Sequence, residues 1–306
     1  MSKTITLSGP PSTADTYTKA VTSLLPVIGK PAKVRADTTI PDRRYRLENV
    51  RVDPEKLQAY TRVTGQRFGA TLPITYPFVL QFPLSMKVMT DADFSFGAVG
   101  SVHLENTIRR VRPIGIDEPL TIETQAGNLR EHRKGLLVDM VSTISVGNEL
   151  VTTQVATFLK QQRTSLSDEP RGPVPREQAP PPPDSVLSTD LAKIREYGGA
   201  AGDRNPIHMS NVSAKAFGFP RAIAHGMWSA AAAVANVESQ LPDEVSYSVK
   251  FGKPILLPAK VNLYVHRIDG PTAAGAHGMS PSGNFDISIL NRRKGYPHMT
   301  GTTRNG

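Results

Sequence analysis

One short segment concentrates the residue types that move protons. Asp203 and His208 lie five positions apart in the string GDRNPIH, and Pro206 between them rules out a continuous helix. A carboxyl group and an imidazole on a stiff loop can work as a general acid–base pair. Gly226 then begins an alanine-rich helical stretch, so its N–H is one of the unpaired donors of a helix N-terminus. Such a donor stabilises a developing oxyanion, and the whole set suits proton abstraction beside a carbonyl group.

The wider string over residues 202–227 resembles the hydratase motif of the MaoC-like, or R-specific enoyl-CoA hydratase, family. It reads GDRNPIH, then AFGF, then IAHGM. The resemblance implies that Asp203 and His208 are the catalytic dyad and that Asn205 is an orienting neighbour. It also implies that the Gly226 amide is the oxyanion donor to a thioester carbonyl. Which member of the dyad takes the α-proton stays open at this point.

Three further residues next to the motif have weaker signals. Met227 and Trp228 start the helix beside the proposed thioester and are candidate substrate contacts, although such residues are more often part of a core. His225 is expected to support the loop rather than to titrate during catalysis. The remaining histidines show no metal-ligand spacing, and no glycine-rich nucleotide fingerprint is present. We therefore expect neither a metal nor a cofactor.

The chain reads as two similar halves separated by a proline-rich segment. Residues 168–185 hold seven of the 26 prolines and should form an extended spacer. Each half has a helix in which a tyrosine lies five residues before a closing glycine: Tyr60 and Gly65, then Tyr197 and Gly202. Each half continues with an apolar helical stretch and finishes in alternating strand patterns. This weak repeat predicts two α+β units, each with one central helix lying on a curved antiparallel sheet.

The family resemblance implies that this organisation is a double hot-dog fold, in which each unit is a long helix wrapped by an antiparallel sheet. We expect residues 1–40 to be an N-terminal extension that includes a short helix over 16–25. Residues 41–165 would be a degenerate, non-catalytic hot-dog, and 166–185 a proline-rich linker. Residues 186–306 would be the catalytic MaoC-like hot-dog.

The first half departs from the family motif. Where the second half has its acid–base pair, the first reads GQRFG at 65–69, and YPF at 76–78 replaces the HGM start of the central helix. This half is therefore expected to be inert. Two explanations stay open together: it has been reshaped to accommodate an acyl chain, or it simply replaces the second subunit of an ancestral dimer.

Composition limits the class of protein. The 306 residues contain no cysteine, which excludes disulfides, thiolate metal sites and a cysteine nucleophile, and favours the cytoplasm. The start of the chain does not resemble a signal peptide, and the longest uncharged stretch, 222–237, is too short to span a bilayer. The net charge of +9 favours anionic partners, but no nucleic-acid-binding pattern is present. Two basic turns, 130–134 and 292–294, are either solvated or bind carrier phosphates or an acidic carrier protein.

The resemblance implies reversible dehydration of (3R)-3-hydroxyacyl thioesters to trans-2-enoyl thioesters in fatty-acid metabolism, and it is strongest to the mycobacterial-type (3R)-3-hydroxyacyl-thioester dehydratases. The acyl group would arrive on coenzyme A or on an acyl carrier protein, and enzymes of fatty-acid synthesis are possible partners. A monomer and a homodimer are both compatible with the sequence. The alternatives are a CoA-specific degradative hydratase and a non-catalytic acyl-thioester-binding subunit of a dehydratase complex. A hot-dog thioesterase is disfavoured because such enzymes do not use this motif.

Overall fold

The structure is a computed structural model that describes residues 3–12, 40–91, 93–94, 96, 101–170, 177–268 and 283–306. The helix expected over residues 16–25 lies outside these ranges. Residues 171–176 of the proline-rich segment lie outside them as well.

The first half contains six strands and two α-helices within the described ranges. A single 3-10 turn, Ser165–Asp168, follows the last strand. In chain order the elements are β1 (Lys3–Thr6), β2 (Arg43–Val50), α1 (Pro54–Thr64), α2 (Tyr76–Met89), β3 (Ser101–Arg110), β4 (Leu120–His132), β5 (Gly135–Val146) and β6 (Glu149–Gln161).

The second half adds five strands and four α-helices within the described ranges. A 3-10 turn, Glu238–Gln240, follows its last helix. In chain order the elements are β7 (Ser185–Thr189), α3 (Leu191–Ala201), α4 (Pro206–Met209), α5 (Asn211–Ala216), α6 (Gly226–Val234), β8 (Val245–Phe251), β9 (Ala259–Arg267), β10 (Phe285–Asn291) and β11 (Pro297–Asn305).

All eleven described strands form one sheet in the order β1-β2-β4-β5-β6-β3-β8-β11-β10-β9-β7. Every neighbouring pair is antiparallel except β1 and β2, which run parallel. From the outside inwards the halves read β2-β4-β5-β6-β3 and β7-β9-β10-β11-β8, so the same topology occurs twice. The halves meet where β3 pairs with β8, with Ile108 opposite Tyr247. The sequence repeat predicts two units of the same kind, and the duplicated strand order agrees with that prediction.

The helix that precedes each central helix is built in the same way in both halves. Asp53 caps α1 through its side chain, and α1 ends at Gly65, which adopts the left-handed conformation with φ 76°. In the second half α3 likewise ends at a left-handed glycine, Gly202, with φ 72°. A side chain at either position would be strained, and glycine avoids this cost. The buried rings of Tyr60 and Tyr197 lie 5.8 Å apart, centroid to centroid, where α1 and α3 pack together.

The central helices α2 and α6 lie on the sheet of their own half. The alanines of α6 are buried, and their small side chains let the helix backbone approach the sheet closely. One consequence is that the Tyr247 hydroxyl of β8 donates to the Ala230 carbonyl at 2.9 Å. The α+β prediction is therefore confirmed. None of the helices in the described ranges is long and apolar enough to cross a bilayer.

Candidate active site

The left-handed turn at Gly202 directs the chain into a short, self-supported loop. The Asp203 carboxylate accepts a hydrogen bond from the Asn205 backbone N–H at 3.2 Å. The Asn205 side chain in turn accepts from the Ile207 N–H at 3.3 Å and caps the single-turn helix α4. Asx contacts of this kind fix a loop without a long helix or strand. Asn205 is thus placed where it can hold both ends of the loop in position.

His208 lies on α4 and is buried, with 7% of its surface exposed. Its Nδ1–H donates to the Ile223 carbonyl at 2.8 Å, because a backbone carbonyl only accepts. In the neutral tautomer this leaves the lone pair of Nε2 available as a base. Burial lowers the pKa of His208 to about 3, with a contribution from neighbouring His225 that exceeds the opposing effect of the Asp203 charge. The imidazole is therefore neutral at ordinary pH.

His225 connects the end of α3 to the start of α6. Its Nε2–H donates to the Asp203 carbonyl at 2.9 Å, and its ring centroid lies 3.7 Å from that of His208 and 4.9 Å from that of Tyr197. Burial also lowers its pKa, so it too is neutral. These contacts are those of a residue that supports the loop. Its Nδ1 is buried and has no hydrogen-bond partner among the described residues.

Asp203, His208 and His225 converge on one small volume. One polar atom from each lies within 4.8 Å of the others, a gap that a single water molecule or a substrate hydroxyl can span. By distance alone the cluster could also hold a metal ion, which the sequence spacing did not suggest. The expectation of a metal-free site stays a prediction.

Gly226 is the first residue of α6, and its backbone N–H has no acceptor among the described residues. A β-carbon on Gly226 would lie 3.1 Å from two carbons of the Phe251 ring, so any side chain at this position would require that ring to shift by a few tenths of an ångström. Gly226 is partly exposed, whereas its neighbours His225 and Met227 are buried. The helix N-terminus is therefore open to a ligand at this one amide.

The two candidate substrate contacts are deeply buried. Met227 and Trp228 are 3% and 2% exposed. The Trp228 indole N–H donates to the Val63 carbonyl at 3.1 Å and so connects α6 to the first half. On its other side Trp228 borders a cavity of about 420 Å³ together with Val63, Leu187 and Ala232. Their role in substrate binding stays a prediction.

The structure brings one further residue close to the site, and it comes from the first half. His103 on β3 stacks between Phe78 and Phe158, at centroid distances of 5.4 and 4.8 Å, and meets Phe251 edge-on at 5.1 Å. Since Phe251 also borders Gly226, one aromatic ring separates His103 from the open amide. Burial lowers the pKa of His103 to about 4, and its Nε2 has no partner among the described residues. Sequence reasoning missed it because only the pairing of β3 with β8 creates the contact.

The sequence was compared with families and proteins of known identity. The family model described as "MaoC like domain" matches residues 174–274, which contain the whole motif. The 3-hydroxyacyl-thioester dehydratase X of Mycobacterium tuberculosis is 46% identical over 294 residues, which cover 96% of this chain and 98% of that protein.

The fold was compared with solved structures. The crystal structure of HtdX of Mycobacterium tuberculosis matches with a TM-score of 0.73 and 45% identity, over 86% of this chain and all of that one. A double hot-dog protein of the same organism matches with a TM-score of 0.50 and 12% identity, over 84% of this chain and 93% of the other, which bears on the fold alone. The predicted double hot-dog fold is thereby confirmed. The 46% identity to the Mycobacterium tuberculosis dehydratase, over 96% of this chain, shows that the chain belongs to the MaoC-like dehydratase family.

Proposed function

We propose that this protein catalyses the reversible dehydration of (3R)-3-hydroxyacyl thioesters to trans-2-enoyl thioesters in fatty-acid metabolism. The observation that carries the proposal is the convergence of the neutral His208 imidazole and the Asp203 carboxyl group on the side chain of His225, the residue directly before Gly226 and its open helix N–H. The relative with 46% identity is named a 3-hydroxyacyl-thioester dehydratase, which supports the same reaction.

The reaction begins with the thioester carbonyl at the start of α6. The Gly226 N–H donates to the carbonyl oxygen and stabilises the negative charge that develops there, which acidifies the α-carbon. The Nε2 of His208 then removes the α-proton. A neutral imidazole suits this role, and the donation from Nδ1 to the Ile223 carbonyl fixes the tautomer that leaves Nε2 unprotonated.

The hydroxyl group leaves with a proton from Asp203. In this scheme the Asp203 carboxylate takes up a proton from water before the reaction begins. The resulting carboxylic acid protonates the 3-hydroxyl, and the C3–O bond breaks as the C2–C3 double bond forms. Water departs, His208 holds the α-proton, and that proton returns to Asp203 across the gap between them, which is at most 4.8 Å. The sum is loss of one water, and hydration is the same path in reverse. No electron transfer is needed, and we expect no cofactor or metal.

We further propose a division of labour along the chain. Residues 186–306 form the catalytic hot-dog and 41–165 the non-catalytic one, with 1–40 as an extension and 166–185 as the linker. The first half both stands in for a second subunit and accommodates the acyl chain. We place the enzyme in the cytoplasm as a monomer or homodimer that works with other enzymes of fatty-acid synthesis and binds no nucleic acid.

The proposal is tested by hydration of a trans-2-enoyl-CoA series of increasing chain length. Loss of enoyl-thioester absorbance measures the rate, and chiral analysis identifies the product. We expect a (3R) product and a rate unchanged by EDTA. In Asp203→Asn and His208→Gln we expect the rate to fall by about 10² to 10⁴-fold, since each removes one proton-transfer group. Circular dichroism checks that both variants are folded.

Three outcomes would contradict the proposal. Full activity in either variant would remove the assigned role. A rate lost with EDTA and restored by a divalent cation would make the cluster of Asp203, His208 and His225 a metal site. Absence of turnover on CoA and carrier-protein substrates alike, by a folded protein that binds them, would indicate a non-catalytic acyl-binding subunit.

A further inference from the structure

The segment that carries the proposed acid–base pair also exposes cations. Arg204, Lys215 and Arg221 are exposed to solvent, and none forms an ion pair with a residue that the structure describes. Asp203 is the only acidic residue between positions 202 and 227, and it belongs to the site itself. The surface of this segment is therefore positively charged.

The two basic turns that the sequence left open as carrier sites are partly neutralised. In the first turn Arg130 pairs with Asp139 at 3.0 Å, and Arg133 donates to the Glu169 carbonyl at 2.8 Å. In the second turn Lys294 pairs with Glu177 at 3.0 Å. Arg204, Lys215 and Arg221 differ from Arg130 and Lys294 in that none of the three pairs with an acid that the structure describes.

An exposed apolar side chain lies among these cations. Val212 on α5 is 81% exposed. It lies three positions before Lys215 on the same helix, and residues spaced by three share a helix face. Cations alone would suit any phosphate group. A solvent-facing valine between them contributes favourable binding free energy only when another apolar surface covers it.

The arrangement around α5 sets the size of this surface. A six-residue helix is about 9 Å long, and Lys215 lies in its last turn. Asn211, its first residue, accepts a hydrogen bond from the Ala222 N–H at 2.9 Å through its side chain, which holds neighbouring Arg221 beside the first turn. The two cations thus flank Val212 from opposite ends of the helix.

This surface is continuous with the site. Ile223, two residues after Arg221, supplies the carbonyl that holds His208. The helix α5 has no counterpart in the first half. Gly65 and Tyr76 are eleven positions apart, whereas Gly202 and Gly226 are twenty-four apart, and the longer connection contains α4 and α5. The helix and the cations around it therefore belong to the half that carries the proposed site.

We propose that Val212, Lys215 and Arg221, with Arg204 beside them, form a docking face for an acidic protein domain that presents the acyl group as a thioester on a flexible arm. The inference rests on the proposed function and specifies the carrier. Opposite charges steer the encounter and fix its orientation, and the valine provides the apolar centre of a small transient interface. The phosphates of coenzyme A could pair with the cations, but they offer no apolar surface to cover Val212.

The test compares one acyl group on two carriers. Trans-2-octenoyl-CoA and trans-2-octenoyl attached to an acidic acyl carrier protein are hydrated by the full chain, by Lys215→Glu/Arg221→Glu and by Val212→Asp. The control variant, Arg292→Glu/Arg293→Glu, makes the same change of charge in the exposed turn at residues 292–294. We expect kcat/KM on the protein carrier to fall at least tenfold in both test variants, through KM, and to stay within twofold on CoA. The control stays within twofold on both.

Salt dependence and binding complete the test. For the unmodified chain, raising the ionic strength should lower kcat/KM on the protein carrier more than on CoA, because salt screens exposed charges. Equal losses on both carriers, no loss on either, or a loss only in the control variant would each overturn the docking face. If the unmodified chain hydrates neither substrate, the proposed function fails, and direct binding of the octenoyl carrier protein by calorimetry decides the docking face separately. Weaker binding by Lys215→Glu/Arg221→Glu supports it, and unchanged binding overturns it.

Discussion

The connection after α1 and the connection after α3 start alike and end differently. Both follow a left-handed glycine, Gly65 or Gly202, and both lead to the central helix of their half. In the first half the next residue is Gln66, which accepts a hydrogen bond from the Thr75 hydroxyl at 2.7 Å. Thr75 in turn accepts from the Tyr60 hydroxyl at 2.9 Å. The Tyr60 and Thr75 hydroxyls and the Gln66 side-chain oxygen thus form one buried chain of hydrogen bonds, and the Gln66 Nε2 is left without a partner among the described residues.

The second half keeps its polar groups facing a common space. Asp203 and His208 meet across a gap, and the central helix begins with Gly226, whose amide has no acceptor among the described residues. In the first half the central helix begins with Tyr76, which is buried and packs edge-on against Tyr60 at 5.1 Å. The same order of strands and helices thus yields a filled interior in one half and an open site in the other. The main differences are the residue at the start of the central helix and the longer connection that precedes it in the second half.

The largest loss of activity should come from giving Gly226, the residue at the start of the central helix, a side chain. In Gly226→Val the new side chain meets the Phe251 ring, where even a β-carbon lies at 3.1 Å, and displaces the thioester carbonyl from the amide. We expect kcat to fall by about 10² to 10³-fold, which is typical for loss of an oxyanion donor. Steady-state hydration kinetics measure it.

Gly199→Ala is the matched control, because a β-carbon there meets no atom within 4 Å. It should leave kcat unchanged. If Gly226→Val kept full activity, the open helix start would not be the feature that separates the halves.

A smaller effect, on stability rather than on rate, is expected from a substitution in the connection between α1 and α2. Thr75→Val keeps the shape of the side chain but leaves the buried Tyr60 hydroxyl and the Gln66 carbonyl oxygen without their partner. We expect a loss of about 1 to 3 kcal/mol in the free energy of unfolding, with kcat/KM within twofold. Urea unfolding and the hydration assay measure the two quantities.

Thr75→Ser restores the hydroxyl and should recover most of the hydrogen-bond contribution. A tenfold loss of activity in a Thr75→Val protein of normal stability would show that the first half takes part in the chemistry. The comparison between the halves would then need revision.

Local features of both halves could be predicted from the sequence, whereas contacts between distant parts of the chain could not. Features set by neighbours in the chain, such as the helix ending at Gly65 and the repeat of strands and helices, follow from local propensity and periodicity. The proximity of Asp203 and His208 follows from their five-residue spacing on one loop. The contacts of His103 with Phe251 and of Trp228 with Val63 join residues 148 and 165 positions apart, and only strand pairing and helix packing create them.

Acid sensitivity is the property in which the two halves should differ least. His208 in the second half is buried, His103 in the first is half-buried, and both are neutral, with pKa values lowered to about 3 and about 4 from the usual 6.5. Below pH 6.5 the unfolded chain binds protons that the native protein excludes, so the free energy of unfolding falls as the pH decreases toward these values. His208→Gln and His103→Phe should each make this decline shallower, and by a similar amount between pH 7 and 5, because both native pKa values lie below this range. Urea unfolding between pH 7 and 5 measures both slopes, and slopes parallel to that of the unmodified chain would show that these imidazoles take up protons in the native protein as readily as in the unfolded chain.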